Sequence, residues 1–178
     1  MADRMKKYKL RLLIAALILF TISLTSPGTV TANDWKILAG VRVGDISLSL
    51  STGEILQILG EPSGSQRRGS AIDYYWDRNH LMGVTIISGI VELISTKWYD
   101  GRAHPYETDK GIRIGASVED VRNAYGSEED RRSDGGREIY AYWKQGISFL
   151  FLISTTFPSE IRGRVAGIQV FRPNPSWR

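Results

Sequence analysis

The chain has 178 residues, with 23 Lys and Arg against 19 Asp and Glu, a formal net charge of +4 and no cysteine. The lack of cysteine excludes disulfides and thiol chemistry. Residues 1–32 hold five of the basic residues and one acid, so the remainder is formally neutral. That balance gives no support for nucleic-acid binding, which needs a basic stripe to displace counterions.

Residues 1–32 have the pattern of a secretory signal peptide. A basic segment precedes an uncharged, mostly apolar run over residues 12–24, and small residues stand before a cleavage point after Ala32. As a helix, the 13 residues of this run span about 20 Å, which is less than the roughly 30 Å of a bilayer core. We therefore expect cleavage after Ala32 and export of residues 33–178, secreted or in the cell envelope. An uncleaved membrane anchor over residues 12–24 is the alternative.

The first folded segment predicts a helix followed by strands. Ser51, with Glu54 three residues later, forms a capping box, and an apolar stripe then predicts a helix that Gly60 ends. Residues 64–70 are polar, and we interpret them as a loop. Three strands of an antiparallel meander are predicted at residues 71–76, 81–87 and 90–98.

The same order of signals follows a short polar connection at residues 99–109. Ser117 begins a second predicted helix, with an acid at the third helical position, and Gly126 ends it. Residues 127–137 are interpreted as a charged loop. Three further strands are predicted at residues 138–144, 146–153 and 164–171. Residues 154–162 lengthen the last hairpin, and long loops of this kind often carry function.

The two segments also repeat each other in sequence. Matching positions are Val41-Arg42-Val43-Gly44 with Ile112-Arg113-Ile114-Gly115, and Ile72, Tyr75 and Trp76 with Ile139, Tyr142 and Trp143. We therefore predict a single α+β domain at residues 33–178, made of two tandem helix–three-strand-meander repeats at about 41–98 and 112–171. In this prediction the helices pack on one face of an antiparallel sheet.

The helix signals resemble those of a known family. They are Leu48-Ser49-Leu50-Ser51, Ile55 and Leu59-Gly60-Glu61-Pro62 in the first segment, and Ile114-Gly115, Ser117, Val121 and Tyr125-Gly126 in the second. Together they resemble the β-lactamase-inhibitor-like repeat fold, and one copy is similar to the small outer-membrane assembly lipoproteins. Ser49 stands where the family usually has Gly, and the chain has no lipobox cysteine. The resemblance implies a tandem fold, and its motif residues are structural.

Neither the histidines nor the glycines are spaced for catalysis or metal binding. His80 and His104 fall in predicted turns or connections, with no second ligand at metal-binding spacing. No serine lies in a nucleophile elbow, and residues 111–115 lack the Lys-Ser/Thr of a phosphate-binding loop. We therefore expect no catalytic residues, no enzyme activity, no cofactor and no metal.

The tyrosines suggest a binding surface. Because side chains alternate along a strand, assigning the Ile and Trp positions to the core places Tyr75, Tyr140 and Tyr142 on the opposite face, near Lys144. Tyrosine gives large contact area at low entropic cost, which suits protein or peptide binding. The alternative is that these rings only pair across strands and stabilise the sheet.

Three more residues complete the predicted partner-binding set. Phe157 lies in the lengthened hairpin, and Arg67 and Arg131 lie in equivalent predicted loops, where they could form one basic rim. Nearby acids make ordinary solvated loops the alternative for these arginines.

The function predicted from these features is non-catalytic and extracytoplasmic. The chain is expected to bind another protein or peptide, with enzyme inhibition as one form of that binding, and to contact no nucleic acid. A membrane-retained envelope assembly or structural factor, held by an uncleaved leader, is the alternative. No feature of the sequence sets the oligomeric state.

Overall fold

The computed structural model describes residues 35–77, 81–96 and 105–174. These residues belong to one compact unit, Asp34–Arg178. The predicted signal peptide, both histidines and most of the connection at 99–109 lie outside the described residues. No helix in the described ranges is long and apolar enough to span a membrane.

Strands dominate the described residues. Helices α1 (Thr52–Leu59) and α2 (Val118–Tyr125) have eight residues each, and a short 3-10 helix covers Ser159–Ile161. In chain order the strands are β1 (Lys36–Leu38), β2 (Arg42–Val43), β3 (Ile46–Ser47), β4 (Gly64–Arg68), β5 (Ala71–Trp76), β6 (Met82–Ile87), β7 (Ile90–Thr96), β8 (Glu107–Thr108), β9 (Asp130–Asp134), β10 (Arg137–Tyr142), β11 (Ile147–Leu152) and β12 (Val165–Phe171).

The predicted α+β class is wrong. The strands form a four-stranded sheet in the order β3-β2-β1-β8 and an eight-stranded antiparallel sheet in the order β4-β5-β6-β7-β12-β11-β10-β9. In the described residues, two short α-helices against twelve strands make this a mainly β fold, and a pair of helix–three-strand units does not describe it.

The missed strands explain part of this error. Both edges of the large sheet, β4 and β9, lie in segments that we expected to be loops. Their sequences, GSQRR and DRRSD, have no apolar alternation, because an edge strand with exposed side chains buries little. Charged residues are typical of sheet edges, where they discourage pairing with other chains.

Both predicted helices are confirmed, and their capping boxes explain where they begin. The Ser51 Oγ accepts from the Glu54 N–H of α1, and the Glu54 carboxylate accepts from the Ser51 N–H at 2.8 Å. Ser117 and Asp120 make the same reciprocal pair in α2. Each helix ends at a glycine with positive φ, Gly60 or Gly126, a conformation that glycine adopts without strain.

The main core lies against one face of the large sheet. It includes Ile55 from α1, Val121 from α2, Ile37 from the small sheet, and Phe149 and Ile168 from the large sheet, all buried. The helices and the small sheet therefore contribute to the core that covers this sheet face. We call the opposite face the open face.

The lengthened hairpin covers one part of the open face. A second apolar cluster contains Leu150, Leu152, Ile161 and Ala166, with Ile139 and Phe157 packed against it. The hairpin is held at its start by Ile153, whose N–H donates to the Gly136 carbonyl at 2.8 Å. The uncovered part of the open face lies beside this cluster.

Candidate binding site on the open sheet face

Tyr140 and Tyr142 do not lie on the open face, and their predicted placement is wrong. They are 3% and 0% exposed and belong to the main core. The Tyr142 hydroxyl donates to the Gly126 carbonyl at 3.1 Å, as the Trp76 indole N–H donates to Gly60 at 3.1 Å. Tyr142 thus matches Trp76 rather than Tyr75. This difference of one residue moves side chains to the other face of a strand.

Arg131 contributes to the surroundings of Tyr140. Its guanidinium pairs with Glu138 at 2.6 Å and lies 5.2 Å from the Tyr140 ring centre, with Arg122 at 5.4 Å from the same ring. The Tyr140 hydroxyl donates to Glu138 at 3.2 Å, and burial raises the pKa of Tyr140. This network ties β9 to β10, which is a structural role for Arg131.

The other predicted binding residues are dispersed. Arg67 is on edge strand β4, whereas Arg131 is on the opposite edge strand β9, so the two cannot form one rim. Phe157 is half-buried in the second apolar cluster. Lys144 is exposed in the turn after β10, where its backbone N–H donates to Glu129 at 2.9 Å.

Tyr75 is on the open face and is 38% exposed. A Cβ added at Gly83 would lie 3.5 Å from the Tyr75 ring, an ordinary van der Waals distance, so the ring lies beside this glycine. Tyr75 therefore forms part of the surface of the open face.

A row of small and polar side chains crosses the middle of the open face. Directly paired residues of antiparallel strands share a face, and the register pairs Ala141 with Ser148, Ser148 with Gln169, and Gln169 with Ser95. Within the row, the Ser148 hydroxyl donates to the Gln169 side-chain oxygen at 3.1 Å. The short side chains of Ala141, Ser148 and Ser95 leave room above the sheet.

Larger apolar side chains surround this row and create a depression of about 440 Å³. Its apolar lining includes Leu93, Ile139, Trp143 and Phe171. The Trp143 and Phe171 rings are tilted against each other with centres 4.9 Å apart. The volume lies in the usual range for sites that hold a small organic group.

Two ion pairs line the rim of the depression. Arg132 pairs with Asp130 at 2.7 Å, and its guanidinium lies 5.7 Å from the Trp143 ring centre. Arg172 pairs with Glu92 at 3.2 Å and also donates to the Leu48 carbonyl. The two charges within each pair cancel. These four side chains therefore give the rim both signs of charge but no net charge.

A buried carboxylate lies farther along the open face. Asp73 is 4% exposed and accepts hydrogen bonds from Arg68 at 2.6 Å and from Thr85 at 2.7 Å. The hydrogen bond from Arg68 lowers the pKa of Asp73, and the Thr85 bond adds to the effect. Within the described ranges, no cluster of three or more His, Cys, Asp or Glu could hold a metal ion.

Sequence reasoning missed most of this site. It assigned Trp143 to the core and did not single out Phe171, Ser148 or Gln169. One signal was available, because Ser148 and Gln169 are polar residues inside the apolar strand sequences ISFLFL and VAGIQVF. A polar residue at such a position indicates the face that is not packed into the core.

No family model matches the chain, and no curated protein matches it. Three solved structures are similar to this chain at low identity. The uncharacterized protein yfeY from Escherichia coli has 17% identity and a TM-score of 0.49, with 76% of this chain and 97% of that chain covered. An extracellular protein containing a SCP domain from Bacillus anthracis has 12% identity and a TM-score of 0.44, with 84% and 50% covered. A DUF4309 family protein, YjgB from Bacillus subtilis, has 13% identity and a TM-score of 0.42, with 68% and 78% covered. The resemblance to the β-lactamase-inhibitor-like family stays a prediction.

Proposed function

We propose that this chain is an exported, non-catalytic protein that binds a segment of another protein or peptide on its open sheet face. Export rests on the signal-peptide pattern of residues 1–32. The depression beside Trp143 and Phe171 is the observation that carries the binding role. It combines aromatic walls with a polar floor, as sites of specific recognition usually do.

The chemistry of the depression suits a protein segment. Its aromatic and aliphatic lining can bury an apolar side chain, and Ser148 and Gln169 can hydrogen-bond with a peptide backbone. Partly exposed Trp, Phe and Arg side chains around a concave centre are typical of positions that dominate binding energy. The proposed binding role therefore uses Trp143 and Phe171 in place of Tyr140 and Tyr142.

Selection from a random peptide library displayed on phage tests this proposal. We expect the protein to enrich peptides that bind at the open face. The variant Leu93→Glu places a carboxylate in the depression and should weaken binding of the selected peptides by at least about tenfold. Ile58→Glu is the matched control, because Ile58 is an exposed apolar residue on α1.

Thermal unfolding of both variants checks that each is folded. Equal binding by wild type and a folded Leu93→Glu variant would place the peptide site elsewhere and contradict the proposal. Loss of binding by Ile58→Glu alone would point to the helical side of the molecule.

A further inference from the structure

We infer that the depression binds one uncharged aromatic residue from the interior of a peptide chain, and not a chain terminus. The inference rests on the proposed function and narrows its ligand. Three features of the depression lead to it: the shape of its apolar wall, the hydrogen-bonding capacity of its floor, and the charge of its rim.

The wall favours an aromatic side chain. Trp143 and Phe171 are both partly exposed, and their rings are already tilted at 49° to each other. Aromatic rings prefer such tilted or edge contacts at centre distances of about 4.5 to 7 Å. A third ring can extend this arrangement while Leu93 and Ile139 supply the remaining apolar contact.

The floor favours a backbone carbonyl beside that ring. The Gln169 side-chain oxygen accepts from Ser148, and this is the only hydrogen bond that the Gln169 side chain forms within the described parts of the chain. Its amide N–H groups can therefore donate to a ligand. A peptide carbonyl oxygen is an acceptor of the right kind, and its burial requires such a donor.

The rim disfavours a charged chain end. A terminal carboxylate or amine would bring one unmatched charge next to the Asp130–Arg132 and Glu92–Arg172 pairs, whose charges already balance. Strands β9 and β12 are three strand spacings apart, about 14 Å, which equals roughly four extended residues. A peptide that crosses this width passes both rims without placing its termini there.

Small-molecule probes test the contributions of the ring and of the terminal charge separately. At about pH 6, N-acetyl-L-phenylalaninamide is uncharged, N-acetyl-L-phenylalanine carries a negative carboxylate, and L-phenylalaninamide carries a positive, protonated amine. We expect NMR shifts at the Ala141 methyl and the Gln169 amide with the uncharged probe, and at least about fivefold weaker binding of both charged probes. N-acetylglycinamide, which lacks the ring, should give no saturable shift.

Variants of the rim and floor make the test specific. Arg132→Gln leaves Asp130 without its cation, so the preference should move from the uncharged probe towards L-phenylalaninamide. Arg67→Gln, on the opposite sheet edge, should leave the preference unchanged. Gln169→Met should weaken binding of the uncharged probe by about fivefold, whereas Gln57→Met on α1 should not change the binding of this probe.

The outcomes distinguish this inference from the proposed function. If displayed peptides bind the open face but the charged probes bind as well as the uncharged one, the inference fails and the proposed function stands. A second outcome is that no peptide binds the open face, whereas cellobiose, a neutral sugar, shifts the NMR signals of Ala141 and Gln169. In that case the inference and the proposed function both fail. Unchanged probe preference in a folded Arg132→Gln variant also overturns the inference.

Discussion

Asp73 shows how a single buried carboxylate contributes to the open face. Its partner Arg68 is largely exposed, so the ion pair by itself adds little stability in water. The hydrogen bonds matter more, because Asp73 is almost fully buried and its oxygens would otherwise lack partners. Asp73 therefore couples β4, β5 and β6 at the edge of the sheet.

Replacing Asp73 with Asn tests this contribution and its pH dependence. At pH 7 we expect the free energy of unfolding to fall by about 1 to 2 kcal/mol. The folded-state pKa of Asp73 is lowered, so its stabilisation is present above the unfolded value of about 3.9. It is lost as the pH falls through the folded-state pKa, and the difference between wild type and Asp73→Asn should shrink there.

Urea unfolding at neutral and acidic pH measures this difference. Asp134→Asn, an exposed position on the other edge strand, is the control and should show little change at either pH. A gap between wild type and Asp73→Asn that stays constant down to low pH would contradict the assignment.

The tyrosines show the limit of sequence reasoning at this scale. Alternation predicted correctly that Tyr140 and Tyr142 share one face of β10. It could not say which face is buried, because Ile139 and Ala141 on the other face are also apolar. The second apolar cluster covers part of that other face, so both faces of β10 have apolar contacts. Hydropathy alone does not separate two such faces.

At the scale of elements, the helices were predictable because their signals are local. A capping serine, an acid three residues later and a terminal glycine all lie within about ten residues of one another. The edge strands were not predictable in the same way, because they exist through pairing with β5 and β10 rather than through their own apolar pattern. The depression was harder still to predict, because its walls come from β7, β10 and β12, and these strands come together only through the strand order of the sheet.

Ser117→Ala tests the local signal in α2. The change removes the hydroxyl that accepts from the Asp120 N–H at 3.1 Å and donates to the Asp120 carboxylate at 2.7 Å. We expect a loss of about 1 kcal/mol in the free energy of unfolding, measured by urea denaturation. Ser127→Ala, at an exposed serine just beyond the helix, should lower it by less than about 0.5 kcal/mol. Equal effects of the two changes would show that the cap adds nothing.

At the scale of the whole molecule, two glycines let the small sheet meet the large one. The Gly40 N–H donates to the Gly146 carbonyl at 3.1 Å, which joins the turn after β1 to the turn between β10 and β11. Gly146 has a φ of +73°, and a Cβ there would collide with the Phe171 carbonyl and lie 2.6 Å from the Gly40 Cα. The backbones approach too closely for any side chain.

Gly146→Ala should therefore destabilise the protein by about 3 kcal/mol or more, because backbone strain and collision add. Gly135→Ala provides the control, since Gly135 also has a positive φ but nothing within 4 Å of the added carbon. Its expected cost is about 1 to 2 kcal/mol. Thermal and urea unfolding compare the two variants, and similar losses would mean that the backbones can separate without penalty.

The parallel pairing of β1 with β8 has a consequence for the order of events during biogenesis. Lys36 pairs with Glu107, which is 71 positions later in the chain. When a polypeptide emerges with its N-terminus first, from a ribosome or from a translocation channel, more than a third of the chain must follow β1 before its parallel partner β8 is available. Closing so long a loop is slow compared with forming hairpins. β1 can pair early with the nearby β2, whereas its other edge stays open while strands β4 to β7 of the large sheet assemble. That edge closes only after β8 has emerged.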